Sequence, residues 1–440
     1  MEGGVRVGII GGGITGLTVA YYLARKGCSV TLFEKEPELG GQVRTVSVGG
    51  ERVEGFYHHI FAGDTNLIGM TEELGLSSDL EWLPSRVGYF SEGRAYPFST
   101  PLDLLRFKPL SLYDRLRVGM TSLRLQRRTH WRDLAEVTAS EWLPPRTGGK
   151  GYRVIFDPLL RGKFGDYAGD ISMAWLWSRF RVRLGSRGRA MQRERLGYLR
   201  GSFHRLVEAL AEAIREMGGN IFVDNPVRRL AIQGDRIGEV ELRDMSLSFD
   251  AVVATVSSPT FLSLVAGVPD DYRRKLEATP YLSALCLVLA LSRQFMPFYW
   301  LNTGGAMPFV AVVEHTNLVP AERYSGKHLL YISNYMTPDS QLTGINAPGL
   351  LEHYLPHLRQ ISLEFDPAWV EEYHLFRECA AQPVVNTGYE DRMPGLRTPI
   401  DGLYLANTAQ IYPEDRGMNY SVRLGLKVSG MVLEAWKGDQ

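Results

Sequence analysis

The chain has 440 residues, with 49 basic and 49 acidic side chains, so its formal net charge is zero. A composition that is 45% hydrophobic and 22% charged is typical of globular proteins and excludes a disordered, collagen-like or coiled-coil chain. The length predicts two or more structural units, because single hydrophobic cores stop growing near roughly 250–300 residues. Three widely spaced cysteines, Cys28, Cys286 and Cys379, argue against a disulfide scaffold and a structural metal site.

The apolar segments predict a cytoplasmic protein that is soluble or peripheral to a membrane. A buried-strand pattern begins at Val5 with no basic segment before it, so we expect no signal peptide. The longest clean apolar run, residues 282–291, is half of the roughly 20 residues that a helix needs to span a bilayer.

The first forty residues predict a strand, a glycine-rich turn, a helix and a second strand. Residues 5–10 read as a buried strand, the turn spans residues 11–16, and the second strand, residues 29–33, ends at Glu34. An acid 18 positions beyond the last glycine of a G-x-G-x-x-G turn is typical of dinucleotide binding. The alternative is a glycine-rich turn that binds nothing.

Each residue of this unit has a physical role in the dinucleotide interpretation. Gly11 permits the tight turn, Gly13 lets the backbone approach a pyrophosphate, and Gly16 lets the helix pack closely on the strand. The helix N-terminus offers unpaired N–H groups to phosphate, and Glu34 accepts hydrogen bonds from ribose hydroxyls while repelling the 2′-phosphate of NADP. The predicted nucleotide-binding residues here are Gly11, Gly13, Ile14, Thr15, Gly16, Glu34 and Lys35.

Two short motifs follow the second strand. A Gly40-Gly41 doublet precedes Gln42 and Arg44, and residues 55–61 contain the consecutive side chains Tyr57, His58 and His59. Histidine titrates near neutrality, so these three residues are candidates for orienting a substrate or for acid–base catalysis. The alternative is that one histidine packs on a ring and the other caps a backbone group.

Residues 101–200 carry 21 lysines and arginines against 9 acids, a net charge of +12. Residues 101–128 predict helices with a basic face, and the run from Arg179 to Arg183 is surrounded by aromatic residues. The charge fits an anionic small ligand, an acidic membrane surface or a solvated face, and without a recognised motif we expect no nucleic-acid partner. The aromatic residues are Tyr152, Tyr167, Trp175, Trp177 and Tyr198.

The rest of the chain predicts strands and one closing helix. Strands are expected near residues 219–224, which precede Val227, and at residues 250–256, 284–291 and 326–335. Tyr331, Asn334 and Tyr335 at the end of the last of these are candidate pocket residues. A strand at residues 402–406 then ends at Asn407, and a helix is expected from about residue 421 to residue 436.

The glycine turn, Glu34 and the Gly40-Gly41 doublet with its basic follower resemble the extended fingerprint of the flavin amine oxidase superfamily. That group includes protoporphyrinogen oxidases, phytoene desaturases and UDP-galactopyranose mutases. The resemblance implies FAD as the cofactor and an α/β fold class: a Rossmann-type FAD-binding domain with an interleaved substrate-binding domain of mixed sheet plus helices. The implied FAD domain comprises residues 1–65, 204–275 and 395–440, and the substrate domain comprises residues 66–203 and 276–394.

The resemblance also implies roles for individual residues. Arg44 contacts phosphate or ribityl although Gln42 stands at the usual arginine position, and the backbone near Val227 holds adenine. The last helix aims its N-terminus at the flavin, with Arg416 beside it, and Asn407 replaces an acid at the preceding strand end. Further implied cofactor contacts are Gly40, Gly41, Gln42, His59, Ile60, Gly417, Met418 and Asn419; the implied catalytic residues are Tyr57, His58, His59 and Arg416.

Three functions remain open at this point. The first is an oxidoreductase that passes a hydride from a small-molecule substrate to flavin N5; without a second nucleotide motif, dioxygen or another acceptor reoxidises the flavin. The second is a non-redox sugar-nucleotide mutase, favoured by local similarity at residues 59–61 and 87–98. The third is a non-catalytic binding protein of the same fold. The substrate is expected to be anionic or lipophilic, with peripheral membrane contact and oligomeric state left open.

Overall fold

The computed structural model describes residues 4–185, 194–305 and 307–438, so residues 186–193 of the basic stretch lie outside it. The strands of the described residues, in chain order, are β1 (Arg6–Ile10), β2 (Ser29–Phe33), β3 (Thr45–Val48), β4 (Glu51–Glu54), β5 (Leu80–Pro84), β6 (Val87–Ser91), β7 (Arg94–Pro97), β8 (Arg195–Leu199), β9 (Asn220–Phe222), β10 (Arg229–Gln233), β11 (Arg236–Glu241), β12 (Ser246–Ser248), β13 (Ala251–Ala254), β14 (Tyr281–Leu291), β15 (Trp300–Asn302), β16 (Ala311–Glu314), β17 (His328–Met336), β18 (Val370–Pro383) and β19 (Leu403–Leu405).

The α-helices of the same residues are α1 (Ile14–Arg25), α2 (Thr65–Glu73), α3 (Pro101–Arg106), α4 (Leu112–Arg127), α5 (Arg132–Ala135), α6 (Ala139–Trp142), α7 (Pro144–Thr147), α8 (Gly149–Gly151), α9 (Asp157–Phe164), α10 (Met173–Gly185), α11 (His204–Glu216), α12 (Ser258–Leu264), α13 (Asp270–Glu277), α14 (Ala347–Ile361), α15 (Tyr389–Arg392) and α16 (Met418–Gly438).

A parallel sheet organises the two ends of the chain. Its strand order is β19-β13-β1-β2-β9, and every neighbouring pair is parallel. The central strand β1 is buried from Val7 to Ile10, because α1 and α16 cover one face of the sheet and a second apolar cluster covers the other. Since parallel strands end at the same edge, the turns that follow β1, β2, β13 and β19 meet there.

A second, mixed sheet runs in the order β18-β14-β17-β16-β15-β6-β7. Its strand β14 contains the long apolar run of the sequence, and all its residues are buried. It is hydrogen-bonded to β17 and β18 on its two sides, and both of its faces are packed, so it shows no alternation of polar residues. The run is therefore a core strand.

Helices α3 to α10 form a separate apolar cluster beside this mixed sheet. Among the described residues, no helix is both long and apolar enough to cross a membrane.

The predicted α/β fold class is confirmed, with a Rossmann-type parallel sheet and a mixed sheet with helices. The last helix begins at Met418, three residues earlier than predicted, because the Gly417 carbonyl oxygen already accepts a helical hydrogen bond from the Ser421 N–H at 3.0 Å. The division into two domains stays a prediction, since membership of a sheet does not define an independently folding unit.

Candidate active site

The turn after β1 is closed by backbone contacts that only glycine permits. Gly11 has a φ of +106°, and its N–H donates to the carbonyl oxygen of Phe33 at 2.8 Å. A Cβ on Gly16 would lie 1.9 Å from the carbonyl oxygen of Gly11. Gly13 precedes α1, whose N-terminus has no side-chain cap and no acid in its first turn. The helix start therefore keeps its positive end available to an anion.

The end of β2 and the Gly40-Gly41 doublet adjoin this turn. The buried carboxylate of Glu34 accepts hydrogen bonds from the N–H groups of Gly12 at 2.6 Å and Glu36 at 2.9 Å. The Gly40 N–H donates to the carbonyl oxygen of Gly12 at 2.8 Å, and both doublet glycines have positive φ. The two glycine loops and the acid thus form one continuous backbone surface at the edge of the parallel sheet.

The last helix also lies at this edge. Helix α16 packs on α1 so closely that a Cβ on Gly425 would lie 2.8 Å from the Cβ of Thr18. Opposite ends of the chain therefore meet beside the glycine turn, as the sequence predicted.

Arg416, two residues before α16, connects the doublet to the mixed sheet. Its guanidinium donates to the Gln42 side-chain oxygen, to Gln382 at 3.2 Å and to the Tyr335 hydroxyl at 3.1 Å. Tyr57 lies close by, and its ring meets that of Trp300 edge to face at 4.7 Å. Four segments distant in sequence thus surround one arginine.

Asp415 is the centre of a buried ionic group next to this arginine. Its carboxylate accepts hydrogen bonds from Lys163 Nζ at 2.5 Å, Arg179 Nη1 at 2.6 Å and Trp175 Nε1 at 3.2 Å. Burial opposes ionisation, but the charges of Lys163 and Arg179 hold the pKa of Asp415 well below its usual range. Burial lowers the pKa of Lys163, and the neighbouring aspartate opposes that shift. The carboxylate is therefore ionised and shared between two cations.

The arginines of α10 divide between two sides of the helix. Trp175, Arg179 and Arg183 follow one another at intervals of four residues and share one side, where Arg183 lies 5.4 Å from the centre of the Trp300 ring. Arg181 instead lies over the Trp177 ring at 5.4 Å. Lys163, Arg179 and Arg416 are the cations whose charges act on Asp415, so positive charge exceeds negative charge in this group.

Two tyrosines of the site have opposite acidities. Burial raises the pKa of Tyr57 well above its ordinary value. Burial also opposes ionisation of Tyr335, but the charges of Arg416 and Lys163 outweigh it and lower the pKa of that phenol from its ordinary value. The Tyr335 phenol is therefore more acidic than the Tyr57 phenol.

The two histidines are neutral near pH 7. Burial lowers the pKa of His58 to about 4 and that of His59 to about 3. His58 Nδ1 lies 2.6 Å from the carbonyl oxygen of Phe56, and His59 Nδ1 lies 3.1 Å from the Tyr299 hydroxyl. Both histidine rings are therefore held by neighbouring groups, and both are uncharged in the folded protein.

With this geometry established, comparison with known proteins decides the family. The sequence model described as flavin containing amine oxidoreductase matches residues 14–430. The chain belongs to the flavin containing amine oxidoreductase family. Membership of this family supports FAD as the cofactor and makes the alternative of a non-catalytic binding protein the weaker one.

Curated relatives of this family member include porphyrinogen oxidases. It is 23% identical over 306 residues to coproporphyrinogen III oxidase of Staphylococcus aureus, covering 62% of this chain and 65% of the relative. It is 26% identical over 329 residues to human protoporphyrinogen oxidase, covering 66% and 65%. The chain thus spans about 65% of the length of these relatives. Carotenoid phi-ring synthase of Streptomyces griseus is 24% identical over 89% of this chain and 80% of its own.

Solved structures share the fold of this family member. A protein from Exiguobacterium described as a putative protoporphyrinogen oxidase has a TM-score of 0.78 at 20% identity, covering 98% of this chain and 99% of its own. Reduced UDP-galactopyranose mutase has a TM-score of 0.77 at 17% identity, covering 98% and 96%. At these identities the likeness shows the fold alone.

The residues at the sheet edge fit FAD in this flavoprotein. The uncapped start of α1 and the two glycine loops leave backbone N–H groups and space for a pyrophosphate, and Glu34 is held beside them by two N–H groups. The N–H and carbonyl groups of Val227 make no hydrogen bond to another described residue, which suits an adenine contact.

Other predicted cofactor contacts also have protein partners, and their contacts with FAD stay predictions. Arg44 donates to the carbonyl oxygen of Arg377 at 2.9 Å, and the Lys35 side chain is exposed beside Glu36. Ile60 is fully buried, and its backbone pairs with Gly197. Asn407 and Asn419 also bond within the protein.

These two asparagines join chain segments. The Asn407 amide donates to the carbonyl oxygen of Val256 at 3.0 Å and accepts from the Ala409 N–H at 3.0 Å. Asn419 Oδ1 accepts from the N–H groups of Asn66 at 3.0 Å and Leu67 at 3.1 Å, so it caps α2 from the start of α16. Ile14, Thr15, Gly417 and Met418 lie at the first turns of α1 and α16, and their contacts with FAD stay predictions.

Sequence reasoning assigned no role to Lys163, Asp415 or Gln382. Lys163 lies within the basic stretch and Asp415 directly precedes Arg416, which are weak signals. Of the aromatic set around the arginines, Trp175 joins the site. Tyr198 donates to buried Glu54 at 2.8 Å, and Trp177 donates to the Arg128 carbonyl oxygen at 3.2 Å, both away from Asp415.

Proposed function

We propose that this flavoenzyme oxidises a small molecule that carries an acidic group, with hydride transfer from a C–H bond of the substrate, such as a C–H bond next to nitrogen. The observation that carries the proposal is the excess of cations over acids around Asp415. Among the described residues, Lys163 and Arg179 both bond this one carboxylate, and the charge of Arg416 also acts on it. Arginine recognises carboxylate and phosphate through paired N–H donors, so an anion would offset the remaining charge.

Bound FAD supplies the hydride acceptor. The protein residues would hold and orient the cofactor: Glu34 would hold the ribose, and the start of α1 would bind the pyrophosphate. Arg416 and the N-terminus of α16 would stabilise negative charge on the flavin.

The substrate side of the site orients the acidic group and excludes water. Lys163 and Arg179 orient the anion, while the rings of Tyr57, Trp175 and Trp300 keep water out. Because His58 and His59 are neutral, they act as hydrogen-bonding groups and ring surfaces rather than as cationic acids. Reoxidation by dioxygen or another acceptor completes the proposed cycle.

Reduction of the bound flavin tests the proposal. The purified enzyme is mixed anaerobically with coproporphyrinogen III or with its methyl ester, which lacks the carboxylates, and the visible flavin absorption is followed. The relatives named for porphyrinogens make this substrate the first choice. A charged hydrogen bond contributes roughly 1.5–3 kcal/mol. We therefore expect Arg179→Gln to raise the concentration of coproporphyrinogen III that gives half the maximal reduction rate by about tenfold or more. The corresponding concentration of the methyl ester is expected to be unchanged.

Arg181→Gln is the matched control, because it removes the same charge from the same helix on the Trp177 side. Equal effects of the two variants, or equal effects on acid and ester, would contradict an anion site at Arg179. A panel of other acids and amines distinguishes a wrong substrate from a wrong reaction class.

The second candidate is the non-redox mutase. The strands β6 and β7 form a hairpin over residues 87–97, the segment with local similarity to the mutases, and the fold matches that of UDP-galactopyranose mutase. The cations around Asp415 could also bind the diphosphate of a sugar nucleotide. Under this alternative, a UDP-sugar leaves oxidised flavin unreduced and is rearranged only after the flavin has been reduced chemically.

A further inference from the structure

Helices α3 and α4 expose an unusual amount of apolar surface. On α4 the exposed side chains are Leu112, Tyr113, Leu116, Met120 and Leu123, and α3 adds Leu102 and Leu105; we call these seven the apolar stripe. Their exposed fractions range from 43% to 67%. Scattered exposed leucines are normal, but a contiguous group within 22 residues marks an interaction surface.

The geometry of α4 shows that this exposure is one continuous face. At about 100° per residue, the five α4 members of the stripe fall within a sector of about 100°. The buried residues Val118, Thr121 and Leu125 lie on the opposite side and pack into the protein. One apolar face of α4 is therefore buried in the core, and the opposite apolar face is exposed.

Positive charge surrounds the stripe. Arg106, Lys108, Arg124 and Arg127 are exposed, and no carboxylate of the described residues lies within 4 Å of their charged nitrogens. Beside them, Arg124 and Arg128 line a surface cavity together with Trp142 and Arg146.

The acids on the two helices do not neutralise this charge. Asp103 accepts from the N–H groups of Ser99 and Thr100, and Asp114 accepts from the Ser111 hydroxyl, so both serve the helix starts. The surface therefore combines an apolar face with uncompensated cations.

We propose that the apolar stripe docks the enzyme on a bilayer that contains anionic lipids. A helix with an apolar face and a basic rim lies in the plane of a membrane interface, with its apolar side chains among the acyl chains and its cations at the headgroups. A second copy of the chain is a poor occupant, because a two-fold contact through this face would set the same arginines against each other.

Vesicle sedimentation tests the docking surface on the full-length flavoprotein. We expect binding to equimolar phosphatidylcholine–phosphatidylglycerol vesicles, little binding to phosphatidylcholine alone, and weakening by salt. Arg124→Gln with Arg127→Gln is expected to lower partitioning roughly 30-fold, at about a factor of 5 for each cation near the surface. Leu116→Ser with Leu123→Ser is expected to abolish binding.

Matched controls change the same residue types elsewhere. Leu363→Ser with Met245→Ser removes exposed apolar side chains, and Arg215→Gln removes an exposed arginine, outside the stripe. Flavin content and thermal unfolding show that each variant is folded. Absence of binding to the anionic vesicles, or equal loss in stripe and control variants, would overturn the proposal. So would a dimer in sedimentation velocity that only the stripe variants dissolve, since it would assign the face to a second copy.

Discussion

Asp415→Asn removes the charge that holds the ionic group together while keeping the shape of the side chain. Asp415 is 8% exposed and bonds Lys163, Arg179 and Trp175, so the variant leaves two cations without their shared counter-charge. Removing one partner of a buried ion pair costs about 3–5 kcal/mol. Because the Arg179 side chain is 36% exposed and partly screened by water, we expect the low end, about 3 kcal/mol.

The contribution of Asp415 to the free energy of unfolding is expected to fall as the pH is lowered. The pKa of Asp415 is lower in the folded protein than in the unfolded chain, where it is near 3.9. The stabilisation is therefore complete above about pH 4 and is lost as the pH falls towards the folded pKa. The wild type should lose stability below pH 4 by more than Asp415→Asn does, so that the two converge in acid.

Urea unfolding at pH 7 and in acid, followed by tryptophan fluorescence, measures both effects. Asp157→Asn is the control, because Asp157 pairs with exposed Arg161 at 3.0 Å on the surface of α9 and such a pair contributes about 0.3–0.5 kcal/mol. The reasoning is refuted if Asp415→Asn unfolds at the same urea concentration as the wild type, or if its stability falls in acid as steeply.

Two further predictions concern the cofactor edge and the acidic phenol. Glu34→Arg is expected to be purified without FAD, because a cation replaces the carboxylate beside the glycine turn. Glu72→Arg, at an exposed position of α2, should keep its flavin. Stoichiometric flavin in both variants would contradict the ribose assignment. In an ultraviolet titration of tyrosinate, Tyr335→Phe is expected to remove the component with a lowered pKa, because Arg416 and Lys163 lower the pKa of Tyr335. Tyr331→Phe should leave the component in place, since burial raises the pKa of Tyr331, and a component that persists in Tyr335→Phe would show that another tyrosine produces it.

The sequence by itself determined the unit that is built from contiguous residues. The first strand, the glycine turn, α1 and Glu34 lie within 34 positions, and their spacing follows from the reach of a backbone turn around a phosphate. Strand β14 was also predictable, since a strand that is covered on both faces needs an unbroken apolar run.

Only the tertiary structure decided which polar side chains meet in the site. Arg416 bonds Gln42 across 374 positions, and Lys163 bonds Asp415 across 252. No periodicity or motif spacing in the sequence indicates either contact. Both contacts result from the packing of the mixed sheet and its helices against α16. The same packing uses Asn419 to cap α2 and leaves the apolar stripe of α4 outside the core, although its leucines resemble those that the core buries. A hydrophobic pattern indicates which side chains favour burial, and the arrangement of neighbouring elements determines which of them are buried.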